Sequence, residues 1–99
     1  MLELELLQAR VAAGETVRGR VERPDAGHAA VELVRIELSP IGARSYPVAH
    51  AELADDGSFA LSVPEDAPPD IAGVDCALRY ALRAFTSRDE VSAPLVVTL

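Results

Sequence analysis

Lysine and tryptophan are missing from this 99-residue chain, cysteine occurs once, and aromatic residues make up only 4%. Each shortage removes a class of function. The nine basic residues are all arginine and face sixteen acidic ones, for a net charge of −7. A surface of that sign repels phosphate backbones, so nucleic acid is not an expected partner. Cys76 has no second cysteine to pair with, which fits a reducing compartment. No apolar run approaches the ~18 residues of a membrane-spanning helix, and the opening residues lack a basic segment leading into an apolar one. A cytoplasmic location without a membrane span is therefore expected.

Catalytic patterns are also absent. No serine sits in a Gly-x-Ser-x-Gly elbow, and no glycine-rich phosphate loop occurs. His28 and His50 are the two histidines, and neither has a partner at metal-ligand spacing. Asp55-Asp56-Gly57, and Glu65, Asp66, Asp70 and Asp75, are acidic enough to invite calcium. A hard cation, however, needs six to eight oxygens on a purpose-built loop, and turn-forming aspartate accounts for the pair. No enzyme activity, metal or cofactor is expected.

What the chain does have is alternation. At 49% hydrophobic and 25% charged it has the composition of one folded domain over residues 1–99. Leu2, Leu4 and Leu6 share one face of an opening strand, and Val17, Gly19 and Val21 share one face of residues 16–23. Pro24-Asp25-Ala26-Gly27 forms a turn. Over residues 30–38 two registers compete: Val31 and Leu33, then Val34, Ile36 and Leu38. Joining them requires a β-bulge or a strand apolar on both faces. Pro40 and Gly42 end that strand, residues 46–53 form a weaker one, and Asp55-Asp56-Gly57 marks a hairpin turn. Phe59, Leu61 and Val63 line one face of the next strand, which Pro64, Pro68 and Pro69 stop. In the last strand Leu95, Val97 and Leu99 share a side, and Pro94 points to an edge position.

Residues 75–85 fit two periods. Read as a strand, Leu78, Tyr80, Leu82 and Ala84 point inward and Arg79, Ala81 and Arg83 outward. Read as a helix, Leu78, Ala81, Leu82 and Phe85 form a stripe. The strand is preferred, because the segment follows a proline crossover among strand candidates. Short strands at this spacing, joined by Gly/Pro turns, predict an all-β sandwich of about seven antiparallel strands. Its expected core is Leu4, Leu6, Val17, Val21, Val34, Ile36, Leu38, Phe59, Leu61, Leu78, Tyr80, Leu82 and Val97, with Phe85 as a further large piece.

Two motifs resemble a known family. Gly14-Glu15-Thr16-Val17-Arg18-Gly19-Arg20-Val21 is similar to the opening strand motif of arrestin-like domains, with Ala13 where that family usually has proline. Phe59-Ala60-Leu61-Ser62-Val63-Pro64, then Ala67-Pro68-Pro69-Asp70 and Leu78-Arg79-Tyr80-Ala81-Leu82-Arg83-Ala84, resembles its later block. Bacterial members, including the sporulation-control group, look closest in style. The resemblance implies one immunoglobulin-like lobe serving as a regulatory scaffold. It carries no receptor-binding residues, since the family's paired lysines have no counterpart here. A rival resemblance, through Val17-Arg18-Gly19-Arg20-Val21 and Asp55-Asp56-Gly57-Ser58-Phe59, is to transthyretin-like or carboxypeptidase-regulatory modules, and implies an accessory domain binding a small ligand or carbohydrate.

One residue set points to binding. If residues 34–38 and 78–84 pair in one sheet, Arg35, Arg79 and Arg83 share its solvent face and offer three guanidinium forks to a partner's carboxylates. The plainer alternative is ordinary ion pairing with Glu37 and neighbouring acids. The expected partner is a protein, with a homodimer formed through the edge strands at residues 2–7 and 94–99.

Overall fold

The computed structural model describes residues 2–22, 29–73 and 76–98. The expected turn at Pro24–Gly27, with His28 and Asp75, lies outside them. Nine strands are present among the described residues: β1 (Glu3–Leu6), β2 (Arg10–Ala12), β3 (Thr16–Glu22), β4 (Ala30–Ser39), β5 (Gly42–Glu52), β6 (Ser58–Ser62), β7 (Ile71–Ala72), β8 (Ala77–Phe85) and β9 (Glu90–Thr98). They form two sheets, a small one ordered β1-β3-β6 and a large one ordered β2-β9-β8-β4-β5, with β7 pairing β8 alongside. The all-β expectation holds, with more strands than expected and one parallel pairing, β2 on β9.

Residues 77–85 are strand, paired on one side with β4 and on the other with β9. The alternation of Leu78, Tyr80, Leu82 and Ala84 decides this: each is buried between the sheets. Helix-forming alanine and arginine yield here to tertiary pairing.

β3 and β6 follow the sequence pattern closely. Val17, Val21, Phe59, Leu61 and Val63 are buried, and the polar residues between them face water. Gly19 closes the approach between strands, because a Cβ there would lie 2.5 Å from the Glu5 carbonyl oxygen and 2.7 Å from Phe59 Cζ. The Asp55-Asp56-Gly57 turn is present, but it is a corner between sheets: β5 enters it from the large sheet and β6 leaves it into the small one. Gly57 adopts φ +88° there, and its carbonyl accepts the Val21 amide at 2.8 Å. Asp56 Oδ1 accepts the Ser58 amide at 3.0 Å and its hydroxyl at 2.7 Å. Those two bonds hold the Asp56 carboxyl below its ordinary range, the hydroxyl contributing most.

The core corrects the expectation for β4. Val31 and Leu33 are fully buried, and the alternation then runs straight on, so Arg35 stands opposite Tyr80 and Glu37 opposite Leu78. Val34, Ile36 and Leu38 therefore face outward, and none of the three is buried. A register irregularity does occur at Leu33/Val34, but its extra residue is on the partner strand: Leu33 pairs Ala49 and Val34 pairs Pro47, leaving Val48 between. Phe85 also leaves the expected core, standing opposite the outward Ala30 with its ring under Arg83. Leu4 and Leu6 pack against the core without being fully buried, while Leu2, Val11, Ala84 and Leu95 join it.

β5 begins at Gly42, well before the expected residue 46, so β4 and β5 form a hairpin turning at Pro40-Ile41. Its tip residue Ile41 is 99% exposed. The trailing strand β9 is not a free edge along its whole length, because β2 covers Val96–Thr98. Pro94 lies just before that pairing begins. β1 is an edge as expected, and β5 and β6 are the other long edges.

Candidate functional site

β4 and β8 do pair in one sheet, but they divide the three arginines. Arg79 stands opposite Ile36 and Arg83 opposite Glu32, on the outer face. Arg35 stands opposite the buried Tyr80, on the inner face. A shared solvent face for Arg35, Arg79 and Arg83 is therefore corrected. Register explains it: residues 35 and 80 sit directly across the ladder, and directly opposed side chains leave a sheet on the same side.

The two faces give their arginines different partners. On the outer face Arg83 Nη2 bonds Glu32 Oε1 across the strands, Arg83 Nη1 lies 3.7 Å from Glu90, and the guanidinium sits 5.0 Å from the Phe85 ring centroid. On the inner face Arg35 Nη2 lies 3.0 Å from Glu37 Oε2, and the guanidinium is 5.8 Å from the Tyr46 ring centroid. The Tyr46 hydroxyl donates to the same Glu37 oxygen at 3.2 Å. Ordinary ion pairing thus accounts for Arg35 and Arg83. Arg79 is exposed and has no ion-pair partner among the described residues.

Above Arg35 the proline crossover, rather than a strand, roofs the inner face. Tyr80 donates its hydroxyl to the Pro68 carbonyl at 2.7 Å, tying the crossover to the sheet. Burial pushes the Tyr80 hydroxyl pKa upward. Arg35, Val48, Pro64, Pro68 and Tyr80 line a half-open cleft of about 320 Å³. Asp70 anchors the end of the crossover to β9: its amide donates to the Val97 carbonyl at 2.8 Å, and its Oδ1 accepts the Val97 amide at 3.1 Å.

The outer face carries the feature that alternation alone misassigned. Its β4 row reads Glu32, Val34, Ile36, Leu38, and the opposing β8 row reads Arg83, Ala81, Arg79, Ala77. Pro47 and Ala43 on β5 stand beside Val34 and Leu38, and Pro94 on β9 stands beside Ala81. One end of the face is therefore apolar apart from Ser45 and Arg79, and Leu38 is 40% exposed. The other end carries Glu32, Arg83, His50, Glu52 and Glu90. The available signal was the run of apolar residues at both parities of residues 31–38, which marks a strand apolar on both faces.

Among the described residues no cluster of His, Cys, Asp and Glu is arranged to hold a metal ion. His50 is exposed on β5 opposite Glu32, and Cys76 is exposed. No helix among the described residues is long and apolar enough to cross a membrane. Comparison with protein-family models and with curated proteins finds no match.

Proposed function

We propose that this chain is a non-enzymatic, cytoplasmic protein-contact module, resembling a single immunoglobulin-like arrestin lobe, that serves as a regulatory scaffold. The observation that carries the reading is the outward row Val34, Ile36 and Leu38 on β4, continued by Ala81 and Pro47 on its neighbours. A sheet of an antiparallel sandwich ordinarily presents one apolar and one polar face. Here the apolar end of the outer face has the composition of a surface meant to be covered, and apolar patches of that kind mark protein contacts. Arrestin resemblance supports the fold side of this reading through the motifs around Gly14–Val21 and Phe59–Ala84.

The test is cross-linking of the tagged chain in cells, comparing the natural sequence with Val34→Glu. The expected result is a specific cross-linked protein species that Val34→Glu removes without altering the chain's far-UV circular dichroism. An unchanged set of cross-linked species would overturn the reading.

A second reading, an accessory module of the transthyretin-like or carboxypeptidase-regulatory kind, has the cleft beside Tyr80 on its side. The cleft's volume falls at the lower end of the ~300–1,000 Å³ typical of ligand sites. Tyr80 is the one aromatic in its wall, which gives a sugar ring little to stack on.

A further inference from the structure

We infer that the partner on the outer face is a second copy of this chain, related by a two-fold axis that runs parallel to the strands between β4 and β8. This rests on the protein-contact reading above and names its occupant. The two central rows complement each other. β4 offers branched side chains at Val34, Ile36 and Leu38, and β8 offers the small Ala81 and Ala77 directly beside Val34 and Leu38. An axis between the strands lays each β4 residue of one copy over the β8 residue that neighbours it in the other. Val34 then meets Ala81 of the second copy and Leu38 meets Ala77, large against small, as interdigitating layers require.

The charges obey the same axis. Glu32 and Arg83 are cross-strand neighbours on β4 and β8, so Glu32 of one copy lies over Arg83 of the other, and the reverse. Two ion pairs become a ring of alternating sign, even though each chain carries −7. Ile36 falls over the aliphatic stem of Arg79, whose charged end can reach solvent. Glu52 and Glu90 oppose each other at the margins of the face, on β5 and β9, where water screens them.

The area suffices. Four strands about 4.8 Å apart give a width near 19 Å, and ten residues of β4 span roughly 33 Å. That is about 600 Å² per copy and about 1,200 Å² for the pair, the lower bound of a standard specific interface. The β5 edge is a poorer site for self-pairing, since Pro47 and the irregularity at Val48 interrupt its open side.

Sedimentation velocity tests this with charge-reversed chains. The natural chain should be a dimer at micromolar concentration, while Glu32→Arg and Arg83→Glu should each weaken self-association by roughly tenfold or more. An equimolar mixture of the two variants should restore the dimer, because the arginines at 32 and 83 of one chain then face the glutamates of the other. Recovery on mixing excludes a simple folding defect, because each variant's own 32–83 pair remains mismatched. A natural chain that stays monomeric at millimolar concentration overturns the inference, as does a dimer indifferent to both substitutions, which would use a surface other than this face. If the chain is monomeric while Val34→Glu still removes a cross-linked partner of different mass, the second copy is refuted and the protein-contact reading stands. If neither effect appears, both fall.

Discussion

Leu33 and Ile36 lie three residues apart on β4 and point to opposite faces of the large sheet, Leu33 fully buried between the sheets and Ile36 outward opposite Arg79. Alternation in the sequence points to Ile36 for the core and leaves Leu33 out of it. Their energetic roles differ, because only Leu33 is packed on all sides in a single copy. Truncating a buried leucine removes transfer energy and leaves an enclosed cavity, whereas trimming the half-buried Ile36 removes less transfer energy and leaves a gap open to water.

Leu33→Ala is accordingly expected to cost about 2–5 kcal/mol of folding stability. Ile36→Ala should cost less than about 1 kcal/mol. Urea unfolding at concentrations low enough to keep the chain monomeric measures both. A loss for Ile36→Ala that exceeds the loss for Leu33→Ala would show that Ile36, not Leu33, faces the core.

Gly19 and Phe59 form a second tight relationship, in the small sheet. Since a Cβ on Gly19 would approach Phe59 Cζ to 2.7 Å and the Glu5 carbonyl oxygen to 2.5 Å, Gly19→Ala forces apart two packed strands, at a cost of about 1–3 kcal/mol. Phe59→Ala empties the site beneath and is expected to cost about 3–5 kcal/mol. The double variant should lose less than the sum, because removing the ring relieves one of the two clashes. Strict additivity in a double-mutant cycle would show that the ring and the glycine do not touch.

Tyr80 fastens the proline crossover to the sheet through its hydroxyl on the Pro68 carbonyl. Replacing it with phenylalanine is expected to cost about 0.5–1.5 kcal/mol, the net contribution of such a bond. The hydroxyl also makes stability depend on pH. Its pKa is raised above 10.0 by burial, with Arg35 partly opposing the rise. The folded state thus holds this proton more tightly than the unfolded state. The stabilisation is complete below the unfolded value near 10 and is lost as pH climbs through the folded value. Chemical unfolding followed from neutral to strongly alkaline pH should show a decline above pH 10 that Tyr80→Phe reduces. An identical decline in the variant would refute the assignment.

Strands with one apolar parity were legible from residue order. In β3 and β6, Val17, Val21, Phe59 and Leu61 alternate with polar neighbours, and period-2 geometry leaves one way to bury them. Turn chemistry was legible as well, at Gly57, where positive φ calls for glycine. The candidate surface was not. Residues 31–38 carry apolar side chains at both parities, and local alternation has no means of choosing which parity meets the opposite sheet. Arginine and glutamate at 35 and 37 could take inward positions because the proline crossover leaves that end of the sandwich partly open to water, with side-chain exposures of 26% and 35%.

Residue order by itself thus determined that the chain is built from strands, where most of them begin and end, and which side of the singly apolar ones is dry. Tertiary structure alone decided how those strands divide between two sheets, and that Val34, Ile36 and Leu38 face away from the core. The reason is physical: the pleat fixes that neighbouring side chains point oppositely, while only the covering layer, assembled from residues far away in the chain, fixes which direction is inward.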